Sequence, residues 1–140
     1  MAATGETTRS AAEAVALGLR ALAASESPRL DAEILLAHAL GIPRSPLAAR
    51  AGVPLSAGQW AGYELMLERR RAGEPIAYVT GNWEFWSLPL AVSPAVLVPR
   101  PETELLVEWA LELLPKAMPT TVADLGTGSG AIALALAHER

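Results

Sequence analysis

A glycine-rich stretch limits the folds open to this chain more than any other feature of its sequence. It reads Asp124-Leu125-Gly126-Thr127-Gly128-Ser129-Gly130. Residues 121–124 before it predict a short buried strand, and the alanine-rich residues 131–137 after it predict the start of a helix. Glycines at alternate positions let the backbone turn sharply and approach a ligand closely. A strand, a glycine loop and a helix N-terminus in this order predict a cradle for a nucleotide or cofactor.

Two classes of cofactor use such a cradle. Gly126, Gly128 and Ala131 also satisfy the dinucleotide fingerprint G-x-G-x-x-G/A, so the glycines alone do not decide between the classes. The carboxylate of Asp124 would repel a pyrophosphate and would attract the sulfonium and ammonium groups of S-adenosylmethionine. We therefore expect S-adenosylmethionine. The alternative is a structural turn in which Asp124 only hydrogen-bonds the loop.

The composition fits one ordinary domain and excludes several kinds of site. The chain has 140 residues, a net charge of -4 and 51% hydrophobic residues, which is enough for a core. The acidic balance argues against general binding to a nucleic-acid backbone. The absence of cysteine excludes disulfides and thiolate zinc sites, and we expect no metal. No signal peptide or membrane helix is evident, so we expect a cytoplasmic protein.

Residues 1–73 predict a small all-helical unit. The expected helical segments cover residues 8–24, 28–40, 46–50 and 56–72, with Ser56 as an N-cap and Gly41 and Gly73 as helix ends. The positions predicted to face inward, from their spacing, are Val15, Leu19, Leu22, Leu30, Ile34, His38, Trp60, Tyr63 and Leu67.

Two features of this unit allow a functional and a structural interpretation. His38 has no second histidine or carboxylate at ligand spacing, so we favour a structural histidine over a catalytic one. The run Arg69-Arg70-Arg71 could contact an acidic or RNA-containing partner. Three cations in the last turn of a helix also complement its dipole, and we favour that role.

The hydrophobic period changes after Gly73. Residues 75–81 predict a short turn of structure, and residues 83–98, which contain two prolines, predict a hairpin or irregular strands. Trp83 and Phe85 would share one face, with Glu84 and Trp86 on the other. We favour packing within the hairpin over stacking of these aromatic rings on a flat substrate.

A further helix is predicted from Pro101 to Leu114. Proline suits the first helical position. Its predicted buried positions are Leu105, Trp109 and Leu113. Glu102 and Glu104 lie two residues apart and do not share a helix face, which argues against a general acid and base pair. We expect them to be helix-start charges, with a wall of the cofactor pocket as the alternative.

Four segments together resemble one known family. They are residues 74–81 (EPIAYVTG), 84–90 (EFWSLPL), 98–104 (VPRPETE) and 124–134 (DLGTGSGAIAL). In these segments the chain resembles the release factor glutamine methyltransferase family, also called the HemK family. The glycine motif alone would indicate only a class I methyltransferase, whereas the hairpin and the Arg-Pro-x-Thr-Glu segment narrow the resemblance.

The resemblance implies a fold class and a set of site residues. The fold would be α+β, with a helical substrate-recognition domain over residues 1–73, a β-hairpin linker over 74–98, and the start of a Rossmann-like methyltransferase domain over 99–140. The residues that would bind S-adenosylmethionine are Gly126, Thr127, Gly128, Ser129 and Gly130. The segment from Arg100 to Glu104 would close the pocket beside them.

The resemblance also implies an activity and a partner. Members transfer a methyl group to the glutamine side-chain nitrogen in the Gly-Gly-Gln motif of class 1 peptide chain release factors. In the family an Asn-Pro-Pro-Tyr motif aligns that nitrogen. The motif is absent from these 140 residues, so we assign no catalytic residue here and expect the chain by itself to be inactive. We also expect a monomer. The alternatives are a non-catalytic module that binds release factors and a fragment of a dinucleotide-dependent oxidoreductase.

Overall fold

The computed structural model describes residues 9–45, 47–116 and 118–140. The elements in chain order are α1 (Ala11–Ala21), α2 (Pro28–Leu40), a 3-10 turn (Ala48–Arg50), α3 (Ala57–Arg71), α4 (Ile76–Thr80), β1 (Asn82–Phe85), β2 (Leu88–Ala91), a second 3-10 turn (Pro101–Thr103), α5 (Glu104–Leu113) and α6 (Ala131–Glu139). The chain divides into two compact units between Thr80 and Gly81. The borders that the sequence suggested, after residues 73 and 98, stay predictions.

The helix ends in the first unit have clear local causes. Ser56 caps α3 in a box with Gln59, in which each side chain accepts the backbone N–H of the other residue. Ser10 and Glu13 form the same arrangement at α1. Gly41 ends α2 in the left-handed conformation with φ of 66°. The predicted N-cap at Ser56 and the end of α2 at Gly41 are therefore confirmed.

Helices α1, α2 and α3 pack around a core that their small residues help to shape. The Tyr63 hydroxyl, fully buried, donates a hydrogen bond of 3.1 Å to the Ala14 carbonyl. A Cβ on Gly18 would lie only 2.5 Å from the Ala32 Cβ. The core side chains are Ala11, Ala14, Leu22, Leu35, Leu36, Leu47, Leu55, Tyr63, Met66, Leu67 and Val79.

The prediction of which residues of the helical unit face inward was partly wrong. Leu22, Tyr63 and Leu67 are buried as predicted. Leu19 and Leu30 are 36% and 41% exposed, and His38 is exposed. Because α1 and α2 meet through Gly18 and Ala32, the face that carries these small residues turns inward, and Leu19 and Leu30 lie outside the contact.

Two of the three consecutive arginines form ion pairs inside the first unit. Arg69 forms a bidentate ion pair with the Glu74 carboxylate, with hydrogen bonds of 2.5 and 2.7 Å. It also donates to the backbone carbonyls of Tyr78 and Val79. Arg70 donates to the buried Asp31 at 2.8 Å. These contacts fix α4 against the end of α3 and connect α3 to α2.

A tight antiparallel hairpin opens the second unit, as the sequence predicted. Strand β1 pairs with β2 so that Asn82 faces Ala91 and Phe85 faces Leu88. The turn consists of Trp86 and Ser87, with φ of 54° and 57°. Phe85 is buried and Trp83, on the same face, is half-buried. Residues 92–98 are not strands.

The rest of the second unit departs from the sequence prediction in two places. Leu105, Trp109 and Leu113 of α5 are 46%, 55% and 84% exposed, and Val107 is the buried position instead. Residues 121–124 lack strand structure, so the predicted first strand of the methyltransferase domain is absent. A strand needs a hydrogen-bonded neighbour, and the strands found among the described residues pair with each other.

Candidate functional site

The glycine loop adopts the backbone conformation that its sequence requires. Gly126, Gly128 and Gly130 have φ of 78°, 55° and 80°. Side chains other than glycine rarely tolerate this region, so the alternating pattern is a backbone requirement. The N–H of Gly130 donates to the Thr127 carbonyl at 2.8 Å and closes the turn directly before α6.

The loop leaves room on its surface for a bound group. A Cβ on Gly126 would meet no atom within 4 Å, and one on Gly128 would meet only a backbone oxygen at 3.9 Å. The first N–H groups of α6 have no partner inside the helix, and they lie where this loop ends. Open space, N–H donors at the start of the helix and three glycines can accommodate either a phosphate or a polar part of a cofactor that carries no phosphate.

Asp124 is held at the start of the same loop. Its Oδ2 accepts a hydrogen bond of 2.9 Å from the Thr127 hydroxyl. This is the contact that the structural alternative for Asp124 required. The side chain is half-buried, and the contact fixes a carboxylate beside the loop, where it favours a cationic ligand over an anionic one.

The segment from Arg100 to Glu104 leads into α5. Arg100 is extended and exposed, and residues 101–103 form the 3-10 turn. Glu104 begins α5, and its Oε1 accepts the Trp86 backbone N–H at 2.8 Å. Among the described hydrogen bonds, none joins this segment to the glycine loop, so its role as a pocket wall stays a prediction.

The contacts of Trp86 were not foreseen from the sequence. Its indole Nε1 donates to Glu139 of α6 at 2.8 Å, while its backbone N–H donates to Glu104. The sequence did contain one indication of them. A two-residue hairpin loop without glycine or asparagine is unfavourable by itself and needs contacts from elsewhere in the chain. A polar cleft of about 380 Å³ lies here, lined by Glu84, Trp86, Ser87, Glu104, His138 and Glu139.

The described residues contain neither a candidate metal site nor a membrane-spanning helix. No cluster of three or more histidine or acidic side chains there could hold a metal ion. No described helix has the length and apolar character to cross a membrane.

Comparison with known proteins gives a consistent result. Residues 13–81 match the model of the PrmC N-terminal domain. The chain is 59% identical over 119 residues to the release factor glutamine methyltransferase of Escherichia coli (strain K12), and 54% identical over 116 residues to that of Coxiella burnetii. The alignments cover 85% and 83% of this chain but 43% and 42% of those relatives. The chain therefore spans about two fifths of the length of the curated relatives it matches.

The relatives are methyltransferases by name, and the helical unit, the hairpin and the glycine loop before a helix fit the N-terminal part of such a protein. Among such proteins, the chain is similar to the N-terminal part of the release factor glutamine methyltransferases, and residues 13–81 match the PrmC N-terminal domain. The resemblance seen in the four sequence segments is thereby confirmed.

Proposed function

We propose that this chain provides the recognition unit and the cofactor loop of an enzyme that methylates the side-chain nitrogen of a glutamine in class 1 peptide chain release factors. The glutamine would be that of the Gly-Gly-Gln motif. The methyl group would come from S-adenosylmethionine, held by Gly126, Thr127, Gly128, Ser129 and Gly130. Release factors would be the partners, without direct nucleic-acid binding, in the cytoplasm and with the protein as a monomer.

The observation that carries the proposal is the glycine loop. Three positive φ angles, open space at Gly126 and Gly128, and the N-terminus of a nine-residue helix form a cradle at one place. The carboxylate of Asp124 beside it favours the positive charges of S-adenosylmethionine over the pyrophosphate of a dinucleotide. The names of the relatives agree with a methyltransferase.

The chemistry indicates what the chain would need for turnover. An amide nitrogen is a weak nucleophile because its lone pair is delocalised, so it must be aligned with the methyl group and its N–H groups must be hydrogen-bonded. The Asn-Pro-Pro-Tyr segment that does this in the family is not in the 140 residues. We therefore expect these residues alone to transfer no methyl group.

A chimera tests the proposal. Residues 1–140 would replace the corresponding part of the E. coli relative, to which the chain is 59% identical, and mass spectrometry would measure glutamine methylation of a purified release factor. We expect methylation by the chimera and none by residues 1–140 alone. No methylation by a folded chimera would contradict the proposal.

Matched glycine variants separate the loop from general stability. Gly128→Val fills the open side of the loop and should reduce methylation by about 100-fold, the loss expected when positioning at a reacting centre is disturbed. Gly41→Val introduces a side chain at a similar positive φ, also in open space, but at the end of α2. Equal losses in the two variants would remove the support for a cofactor role of the loop.

The dinucleotide alternative has its own test. Calorimetric titration of the chimera with S-adenosylmethionine and with a nicotinamide dinucleotide compares the two ligands directly. We expect binding of the first only. Preferential binding of the dinucleotide would instead support an oxidoreductase.

A further inference from the structure

The hairpin turn is held in a conformation that its residues do not favour. Trp86 and Ser87 both have positive φ, where asparagine and glycine are the preferred residues of a two-residue hairpin loop. A bulky side chain in this region is strained. Interactions outside the turn must therefore stabilise it.

Glu104 supplies one such interaction. Its Oε1 accepts the N–H of Trp86 at 2.8 Å, and a hydrogen bond to a charged acceptor is stronger than one to a neutral group. Glu104 is the first residue of α5 and is half-buried at this contact. The indole of Trp86 is bound in addition to Glu139, the last residue of α6.

These contacts connect the hairpin to both helices of the second unit. Helix α5 follows the Arg100 segment, and α6 begins at the glycine loop. We propose that Glu104 is a positioning residue, which holds the tip of the hairpin through the Trp86 N–H and so fixes the hairpin relative to the start of α5. Its relevance to catalysis rests on the proposed function, whereas its effect on the turn does not.

The competing interpretation is that Glu104 contacts a ligand directly. It lines the cleft of about 380 Å³, so a small molecule could reach it. The two interpretations differ in one respect. A residue that holds a strained turn becomes dispensable when the turn no longer needs holding, whereas a residue that contacts a ligand does not.

A double-mutant cycle in the 140-residue chain tests the turn. Trp86→Asn with Ser87→Gly creates a loop that forms without support. We expect Glu104→Ala to accelerate hydrogen exchange of the β1 and β2 amides about tenfold in the native loop and less than about twofold in the Asn-Gly loop. Glu104→Gln, which keeps an acceptor oxygen, should restore most of the protection. Amides of α6, which lies in the same unit as the hairpin, report whether the second unit of each variant is folded.

The same variants in the chimera test the catalytic consequence. We expect Glu104→Ala to reduce glutamine methylation by a larger factor in the native loop than in the Asn-Gly loop. Equal loss in both loops, or unchanged hairpin exchange in the native loop, would overturn the proposal. An unmodified chimera without activity would contradict the proposed function alone, and the exchange cycle would still decide the role of Glu104.

Discussion

Gly18, a residue without a side chain, lies where α1 closely approaches its neighbours. A Cβ on Gly18 would overlap Ala32 and would contact the Tyr63 hydroxyl even more closely. That hydroxyl is buried and bound to Ala14, and its burial raises its pKa well above the ordinary value. The crossing of α1 with its neighbours thus depends on the absence of one methyl group.

Gly18→Ala should therefore destabilise the chain, although alanine is the better helix former. We expect a loss of about 1–3 kcal/mol in the free energy of unfolding, as for other overpacked cores. Gly62→Ala is the matched control, because Gly62 lies inside α3 with no atom within 4 Å of the added Cβ. That variant should gain up to about 1 kcal/mol. Urea denaturation measures both, and equal effects would contradict the packing argument.

Asp31 is a buried charge in the first unit, and its removal should lower the free energy of unfolding. It is 6% exposed and accepts from Arg70 and from the Ser25 hydroxyl. Asp31→Ala leaves both donors without this acceptor, so we expect a loss of about 2–3 kcal/mol in the free energy of unfolding.

Glu33→Ala on the same helix is the control for that variant. It breaks ion pairs with arginines whose side chains are 74% and 53% exposed. We expect a loss below about 1 kcal/mol in urea denaturation. A loss as large as that of Asp31→Ala would show that burial does not distinguish the two carboxylates.

The ion pair of Arg69 with Glu74 connects α3 to α4. The guanidinium binds the Glu74 carboxylate and two carbonyls of α4, so this short helix is fixed by charged hydrogen bonds in addition to the burial of Ala77 and Val79. The hydrogen bonds from Arg69, with its positive charge, lower the pKa of Glu74 below its ordinary value of 4.5.

A pH titration tests this junction. Because the pKa of Glu74 is lower in the folded chain, its contribution to stability is present above the ordinary value and is lost as the pH falls through the folded value. Stability should therefore drop below about pH 5, and Glu74→Gln should make that drop shallower. Glu68→Gln, which removes an exposed carboxyl of α3, is the matched control. Thermal unfolding between pH 3 and 7 measures the slopes, and identical slopes in all three proteins would refute the role of Glu74.

Local sequence signals predicted the helix ends and the hairpin. They did not predict which face of α1 is buried or that residues 121–124 lack strand structure. The N-cap at Ser56, the end of α2 at Gly41 and the hairpin depend on neighbouring residues, and each was evident from the sequence. The inner face of α1 depends on Gly18 meeting Ala32, two residues far apart in the chain. The strand at 121–124 depends on partner strands, and the glycine loop beside it formed without them because positive φ is a local property.

The chain consists of two units that differ in how completely they bury their apolar side chains. The core of the first unit runs from Ala11 to Val79 and lies wholly before the border at Thr80. The second unit leaves large apolar side chains exposed, among them Leu113 at 84% and Leu125 at 93%. A unit that buries its apolar surface among its own residues can fold without the rest of the chain.

Residues 1–80 should therefore fold alone, with a cooperative unfolding transition, because every member of the core cluster is retained. A chain of residues 1–73 is the sharper comparison. It removes Glu74, the partner of Arg69, and Val79, whose burial is worth about 1.5–3 kcal/mol. Circular dichroism during urea denaturation should give a lower midpoint for the shorter chain. Equal urea midpoints for the two chains would mean that the stable helical unit ends at residue 73, as the sequence suggested. Helix α4 would then belong to the connection to the hairpin.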